Sequence, residues 1–314
     1  MAQKLKGIIP PLLTPLTDDY NLDVSAVHRL IDHLVAGGVH GVFILGTTGE
    51  ATGLKYDVRQ EMIKETCLAA KNRIPVMVGI TDTSMGESLK LAHLAKEHGA
   101  MAVVAAPPYY FNLGQQELLE YYEDLANCLP LPLYLYNMPG LTKVHIDTNT
   151  AIKLSENPNI IGLKDSSANT VYFQSLIHGI QRQDFGLFVG PEEITAETVL
   201  MGGDGGVNGG ANLFPRLYVE LYQASLDRDF QRMVQLQKQV MEVARMLYNV
   251  GKYGSSYLKG LKGAASLLNL CDPYLAPPLK QFRPMEMEMI ANNLKIVQTN
   301  IEQIGLSGHQ KLSI

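Results

Sequence analysis

Cysteine is scarce in this chain, and the scarcity excludes a good deal. Three cysteines, Cys67, Cys128 and Cys271, are odd in number, far apart and in no metal-type spacing. That speaks against a disulfide framework and for reduced thiols in a cytosol, so a cytoplasmic location is the expectation. The eight histidines are scattered, with no pair on a recognisable metal scaffold, and no metal is expected. An excess of basic charge is missing as well. Against 31 Asp and Glu stand 26 Lys and Arg, a net of -5, which leaves no electrostatic footprint for nucleic acid. No apolar run has the length of a membrane span. Residues 1–6 carry a little positive charge, but the apolar stretch behind them is broken by Pro10 and Pro11, so neither signal peptide nor membrane anchor is expected.

What the chain does have is one unit repeated. At 314 residues and 46% hydrophobic it can bury a full core. Short apolar runs near 7–16, 41–46, 76–80, 101–108, 131–137, 160–164, 186–190 and 205–212 read as strands. Between them lie amphipathic stretches of helical period at 24–35, 58–70, 87–97, 116–128, 170–180, 193–201 and 215–225. Strands separated by single helices are parallel, right-handed crossovers close them, and eight such units make an α/β fold of the (β/α)8 TIM-barrel type. A doubly wound open sheet is the alternative. The barrel is expected over 1–228, a C-terminal helical extension over 229–306 with helices near 230–246, 253–268 and 285–304, and a flexible tail over 307–314.

In such a barrel the chemistry sits where strands end, so the residues closing each apolar run matter most. Strand two ends in Gly46-Thr47-Thr48-Gly49-Glu50, strand four in Pro107-Pro108-Tyr109-Tyr110 and strand five in Tyr134-Leu135-Tyr136-Asn137-Met138-Pro139. Strand seven ends in Gly190-Pro191-Glu192-Glu193 and strand eight in Gly205-Gly206-Val207-Asn208-Gly209-Gly210. The glycine stretches fit neither G-x-G-x-x-G nor G-x-x-x-x-G-K-[ST], so no dinucleotide or P-loop site is indicated. Two threonines and several backbone N–H groups bracketed by Gly46 and Gly49 form a small donor array suited to a carboxylate, or else an ordinary strand-to-loop turn. Glu50 can serve simply to pin that loop.

Strand six ends in Lys164, after Asn159-Ile160-Ile161-Gly162-Leu163 and before Asp165-Ser166-Ser167. At the end of a strand buried on both faces an ammonium ion is poorly solvated, and the neutral amine is a nucleophile toward ketones. The plainer reading is a solvated lysine at a strand terminus. Tyr136 and Tyr134 share one strand face by their period-two spacing, so one phenol can face the barrel mouth and move protons beside that amine.

Together, Gly-Thr-Thr-Gly-Glu after strand two, Tyr-Asn-x-Pro after strand five and Gly-Leu-Lys-Asp-Ser on strand six resemble the dihydrodipicolinate synthase and N-acetylneuraminate lyase family of Schiff-base aldolases. The resemblance covers roughly residues 5–295. It implies that Lys164 forms a covalent imine with pyruvate, with no other cofactor, and that Tyr136 is the catalytic phenol. It implies that Thr47 relays protons, that Thr48 holds the keto-acid carboxylate, and that Tyr110 reaches the active site of a neighbouring subunit in a homotetramer built as a dimer of dimers.

Departures from the family pattern bear on the substrate. Dihydrodipicolinate synthases carry an arginine two residues after the proline of Tyr-Asn-x-Pro, and here that position is Leu141. Gly190-Pro191-Glu192-Glu193 resembles the Gly-x-Asp-Glu of sialic acid lyases, whose carboxylates accept hydrogen bonds from substrate hydroxyls. Glu192 stands where Asp is usual, and Gly209 replaces a serine of the same pocket. Glu193 can also merely favour a helix start. The expected substrate-binding set is therefore Thr48, Gly46, Gly190, Glu192, Glu193 and Asn208, beside the catalytic Lys164, Tyr136, Thr47 and Tyr110. The expected reaction is cleavage of a 2-keto-3-deoxy sugar acid, or a related 4-hydroxy-2-keto acid, to pyruvate and a small aldehyde. Alternatives are dihydrodipicolinate synthase, N-acetylneuraminate lyase, a dehydratase working through the same imine, and a non-catalytic binding or regulatory module.

Overall fold

A computed structural model describes residues 4–306; the expected tail over 307–314 lies outside the described residues. Eight strands, β1 (Gly7–Ile8), β2 (Val42–Ile44), β3 (Val76–Gly79), β4 (Ala102–Ala105), β5 (Leu133–Asn137), β6 (Ile160–Asp165), β7 (Gly186–Val189) and β8 (Gly205–Gly206), pair in parallel in the order β1-β8-β7-β6-β5-β4-β3-β2. The ring closes just past β1. Pro11 bridges Phe43, the Leu12 amide donates to the Phe43 carbonyl at 2.8 Å, and the Phe43 amide donates to the Pro10 carbonyl at 3.0 Å. Pro10 and Pro11 carry no N–H, so the first strand cannot run on as a regular ladder and stops earlier than its apolar run suggests. The eighth stops early because the chain wraps into a 3-10 turn at Gly209–Asn212.

The crossover helices are α1 (Val24–Ala36), α2 (Tyr56–Ala70), α3 (Met85–Glu97), α4 (Gln115–Cys128), a single turn α5 (Pro139–Thr142), α6 (Thr148–Ser155), α7 (Thr170–Gly179), α8 (Thr195–Leu200) and α9 (Pro215–Leu226). Their starts are locally encoded. Asp23 accepts from the Ala26 amide at 3.0 Å, Asn169 from the Tyr172 amide at 3.1 Å, and Pro215 occupies the first turn of α9, where its missing N–H costs nothing. Helix α6 escapes the sequence reading. It is short, starts on Thr-Asn-Thr and has no side-chain cap, so it is held by burial of Ala151 and Leu154 rather than by propensity. The stretch expected as one helix at 193–201 divides into a 3-10 turn, Glu192–Ile194, and α8.

Two apolar layers result. Ile9, Phe43, Met77, Val104, Tyr134 and Phe188 belong to the cluster that fills the barrel interior, and a larger cluster lies between strands and helices. The C-terminal helices α10 (Phe230–Leu247), α11 (Ser256–Leu267) and α12 (Pro284–Gln303) continue from α9. They fold back onto the strand ends: the Gln237 side chain donates to the Glu193 carbonyl at 3.1 Å, and the Ala276 amide donates to Glu50 at 2.8 Å.

Candidate active site

The ladder between β5 and β6 sets the geometry. Tyr136 and Lys164 are directly paired across it, as are Asn137 and Asp165. Alternation along the strands turns the first pair to the barrel interior and the second outward. Outward, Asp165 accepts from Asn137 Nδ2 at 2.8 Å and from the Ser167 amide and hydroxyl at 3.1 and 2.9 Å, while burial pushes its carboxyl above the usual range. Inward, Lys164 is 6% exposed, with Nζ 4.2 Å from the ring centre of Tyr136 and 5.0 Å from that of Phe43. Aromatic faces flank the amine, and no carboxylate among the described residues lies within ion-pairing distance of it.

The loop after β2 completes the constellation. Leu45 and Glu50 both hold left-handed backbone, at φ 56° and 55°, which folds the five residues 46–50 into a tight cup. The amides of Thr47 and Thr48 donate to no acceptor among the described residues, leaving the donor array that a carboxylate requires. Thr47 Oγ1 lies 3.2 Å from Tyr136 Oη. Glu50 pins the cup from below: its Oε1 pairs with Lys262 Nζ at 2.6 Å, with Lys262 fully buried, and its Oε2 accepts from the Ala276 amide. Lys262 also donates to the Tyr274 carbonyl.

Two cavities meet at Thr47, Tyr136 and Met138, which line both. One of about 260 Å3 holds Lys164, Thr48, Ser166, Gly190, Glu193 and Tyr257 in its wall. The other, about 550 Å3, extends past Gly46, Tyr109 and Leu141 toward Pro277 and Pro278. Lys164 is the one cationic side chain among the described residues lining either.

The structure thus gathers Lys164, Tyr136, Thr47, Thr48, Gly190, Glu192 and Glu193 around the smaller cavity, with Gly46 in the wall of the larger one. Three expected residues stand differently. Tyr110 is not brought to the site within one chain; it is 77% exposed and meets Phe111 edge-on at 5.2 Å. Asn208 is buried behind the wall, where its Nδ2 donates to Thr195 Oγ1 at 2.9 Å and to the Gly190 carbonyl at 3.3 Å, a supporting place rather than a cavity contact. Glu192 and Glu193 do not form a matched pair of hydroxyl acceptors. Glu192 Oε1 accepts from Tyr218 Oη at 2.6 Å and Tyr248 Oη at 2.7 Å, and Oε2 accepts from the Gly210 amide at 2.9 Å. Both its oxygens are engaged inside the protein, and burial pushes this carboxyl up to about 7 against the lowering effect of those three bonds. Glu193 is exposed and turned to the cavity.

Tyr218, Tyr248 and Tyr257 are absent from the sequence reading. They come from α9, the end of α10 and α11, so only long-range packing reveals them. The one local signal was Gly209. A Cβ there would lie 1.8 Å from Tyr257 Oη, and one at Gly210 would lie 1.9 Å from Tyr218 Oη, so the two glycines exist to admit phenol hydroxyls.

Comparison with known proteins agrees with the barrel fold. Residues 4–297 match the model of the dihydrodipicolinate synthetase family. The probable 2-dehydro-3-deoxy-D-pentonate aldolase YjhH of Escherichia coli K12 is 33% identical over 77% of this chain and 81% of its own. A solved dihydrodipicolinate synthase from Bacteroides thetaiotaomicron is 56% identical, with a TM-score of 0.91 over 94% of this chain and all of that one. YagE, an E. coli K12 prophage protein of the dihydrodipicolinic acid synthase family solved in complex with pyruvate, is 28% identical, with a TM-score of 0.86 over 96% of this chain and 99% of its own.

Proposed function

The chain belongs to the dihydrodipicolinate synthetase family, enzymes that make or break carbon–carbon bonds, and from that premise we propose that it is a pyruvate-dependent class I lyase. Its substrate on this reading is a 2-keto-3-deoxy sugar acid or related 4-hydroxy-2-keto acid, split reversibly into pyruvate and a small aldehyde. The observation that carries the proposal is Lys164 Nζ poised over Tyr136, whose phenol hydroxyl meets Thr47.

The chemistry follows from those atoms. The Lys164 amine adds to the C2 ketone, and loss of water from the carbinolamine leaves an iminium that draws electrons from C3. Tyr136, coupled to Thr47, takes the C4 hydroxyl proton as the C3–C4 bond breaks, releasing the aldehyde and an enamine. Protonation of the enamine at C3 and hydrolysis of the imine free pyruvate and Lys164. The imine is itself the electron sink, so the reaction calls for no further cofactor. The cup at 46–50 suits the keto-acid carboxylate, and Glu193 suits a hydroxyl further along the chain.

A second reading, condensation of pyruvate with aspartate semialdehyde, is favoured by the name of the 56% identical structure. Against it stands the lack of any arginine among the described residues lining either cavity, which leaves a second carboxylate without a bidentate partner among them. We also propose a homotetramer in which the exposed Tyr110 meets a neighbouring copy; a monomeric species in sedimentation velocity at full activity would contradict it. Incubating one preparation with a series of 2-keto-3-deoxy acids, with sialic acid, and with pyruvate plus aspartate semialdehyde, and identifying products, tests the function. Best turnover with aspartate semialdehyde would overturn the sugar-acid reading.

A further inference from the structure

Tyr257 enters the smaller cavity from α11, beyond the barrel proper. Its Oη lies 3.1 Å from Thr48 Oγ1, just as Tyr136 Oη lies 3.2 Å from Thr47 Oγ1. Consecutive threonines are each matched to a tyrosine, and all four residues line the cavity that holds Lys164. Proton counting gives each pair a defined capacity. Two hydroxyls carry two protons, the mutual hydrogen bond uses one, and one remains to be donated to a ligand. The Thr47 pair stands at the reacting carbon on the proposed mechanism. The Thr48 pair lies beside the unengaged amides of the cup, where an anion would receive it.

The phenol is held there by a chain of contacts. Tyr257 packs edge-on against Tyr248 at 4.8 Å, and Tyr248 donates to the buried Glu192. Gly209 leaves the space its hydroxyl occupies. Burial pushes the Tyr257 phenol far above its ordinary range, which keeps it a proton donor. Glu192 lines the same cavity, but both its oxygens are taken by Tyr218, Tyr248 and the Gly210 amide, so its effect on a ligand passes through the tyrosines.

We propose that Tyr257 is a further substrate-binding residue, which with Thr48 donates one hydroxyl proton to the carboxylate of the keto acid, and that Glu192, through Tyr248, is its positioning residue. The inference rests on the Schiff-base reading. In consequence the C-terminal helices supply part of the keto-acid site.

The test measures pyruvate affinity by borohydride trapping at graded pyruvate, alongside KM and kcat for turnover. Tyr257→Phe keeps the ring and its packing but loses the hydroxyl. It should weaken pyruvate binding about tenfold or more, the usual scale for one hydrogen bond to a charged group, with kcat changed less than about threefold. Glu192→Gln should move affinity in the same direction by a smaller factor. Tyr218→Phe is the control, since it removes a bond to the same Glu192 oxygen while Tyr218 itself does not line the cavity; it should lower Tm and leave affinity within about twofold. Thr48→Val repeats the measurement from the other side of the pair if Tyr257→Phe fails to fold, and should match its expected loss. Wild-type affinity in Tyr257→Phe, or in Thr48→Val where that stands in, would overturn the proposal. An equal loss in Tyr218→Phe would do so too, reducing the cluster to scaffolding. Absence of any adduct in the wild-type protein at saturating pyruvate is a different failure, that of the Schiff-base reading itself.

Discussion

Tyr136 and Lys164 face each other as direct partners across the β5–β6 ladder, and the amine rests 4.2 Å from the centre of the phenol ring. Two adjacent strands, not a flexible loop, therefore fix the distance between the Lys164 amine and the Tyr136 phenol. Lys164→Arg should abolish turnover while the protein stays folded, because a guanidinium remains protonated and cannot attack a ketone. Borohydride with pyruvate should leave a reduced adduct on Lys164, read by peptide mapping; an adduct on another lysine would sink the assignment.

Removing the phenol hydroxyl separates proton transfer from imine formation. Tyr136→Phe should lower kcat by roughly 10² to 10⁴, the range for a lost general acid-base group, with the Phe43 edge contact and the barrel core intact. Trapping of pyruvate should persist at a reduced rate. Wild-type turnover in this variant would make Tyr136 a core residue only.

Selectivity should divide between the two neighbouring glutamates. Glu193→Leu should erode the preference for polyhydroxylated aldehydes over simple ones by about tenfold or more, because a hydroxyl would lose its acceptor. Glu192→Gln, whose carboxylate is turned to Tyr218 and Tyr248, should leave that preference unchanged. Competition between the two aldehyde types, scored as a ratio of kcat/KM, decides it; the reverse pattern would return the acceptor role to Glu192.

Stability should fall as pH rises through the interval set by Glu192. Its carboxyl sits at about 7 in the folded protein against 4.5 ordinarily, so between those values the native state holds a proton that the unfolded chain has released. Stability from this group is complete below about 4.5 and is lost progressively up to about 7. Glu192→Gln does not titrate, so the Tm of the wild type minus that of the variant should decrease across this range. Parallel Tm profiles would show that Glu192 is not the group responsible.

The buried pair beneath the cup should be costly to break singly. Lys262→Met leaves Glu50 charged and unpaired and should destabilise by about 3 to 5 kcal/mol. Lys262→Met combined with Glu50→Gln should recover part of that loss, since no charge is then stranded. Chemical denaturation measures both; a double variant worse than the single one would argue that the pair acts mainly through the Ala276 amide.

The parts of this site legible in the sequence are those fixed by strand periodicity and local loop chemistry. Lys164 and Tyr136 announce themselves as polar ends of apolar runs, and Thr47 and Thr48 as hydroxyls between glycines. Alternation along β5 and β6 then puts the first two on one face. Helix α6 is not legible in the sequence because packing, not propensity, sustains it. Tyr248 and Tyr257 are not legible there because no local pattern distinguishes a phenol that packs on its own helix bundle from one that reaches a cavity wall. The spacing of Glu192 after β7 places it at the cavity, but not the three protein donors that converge on it from Gly210, Tyr218 and Tyr248, which come from distant parts of the chain.

The bond from the Ala276 amide to Glu50 spans 226 residues of chain. During synthesis the loop bearing Thr47 and Thr48 emerges early, yet the groups that lock it, Lys262 and Ala276, emerge more than 200 residues later. A nascent barrel can assemble its strands from the N-terminus onward, as domains do during translation. The cup at 46–50 gains its final restraint only when the C-terminal helices arrive, after the eight strands that close the barrel are already made.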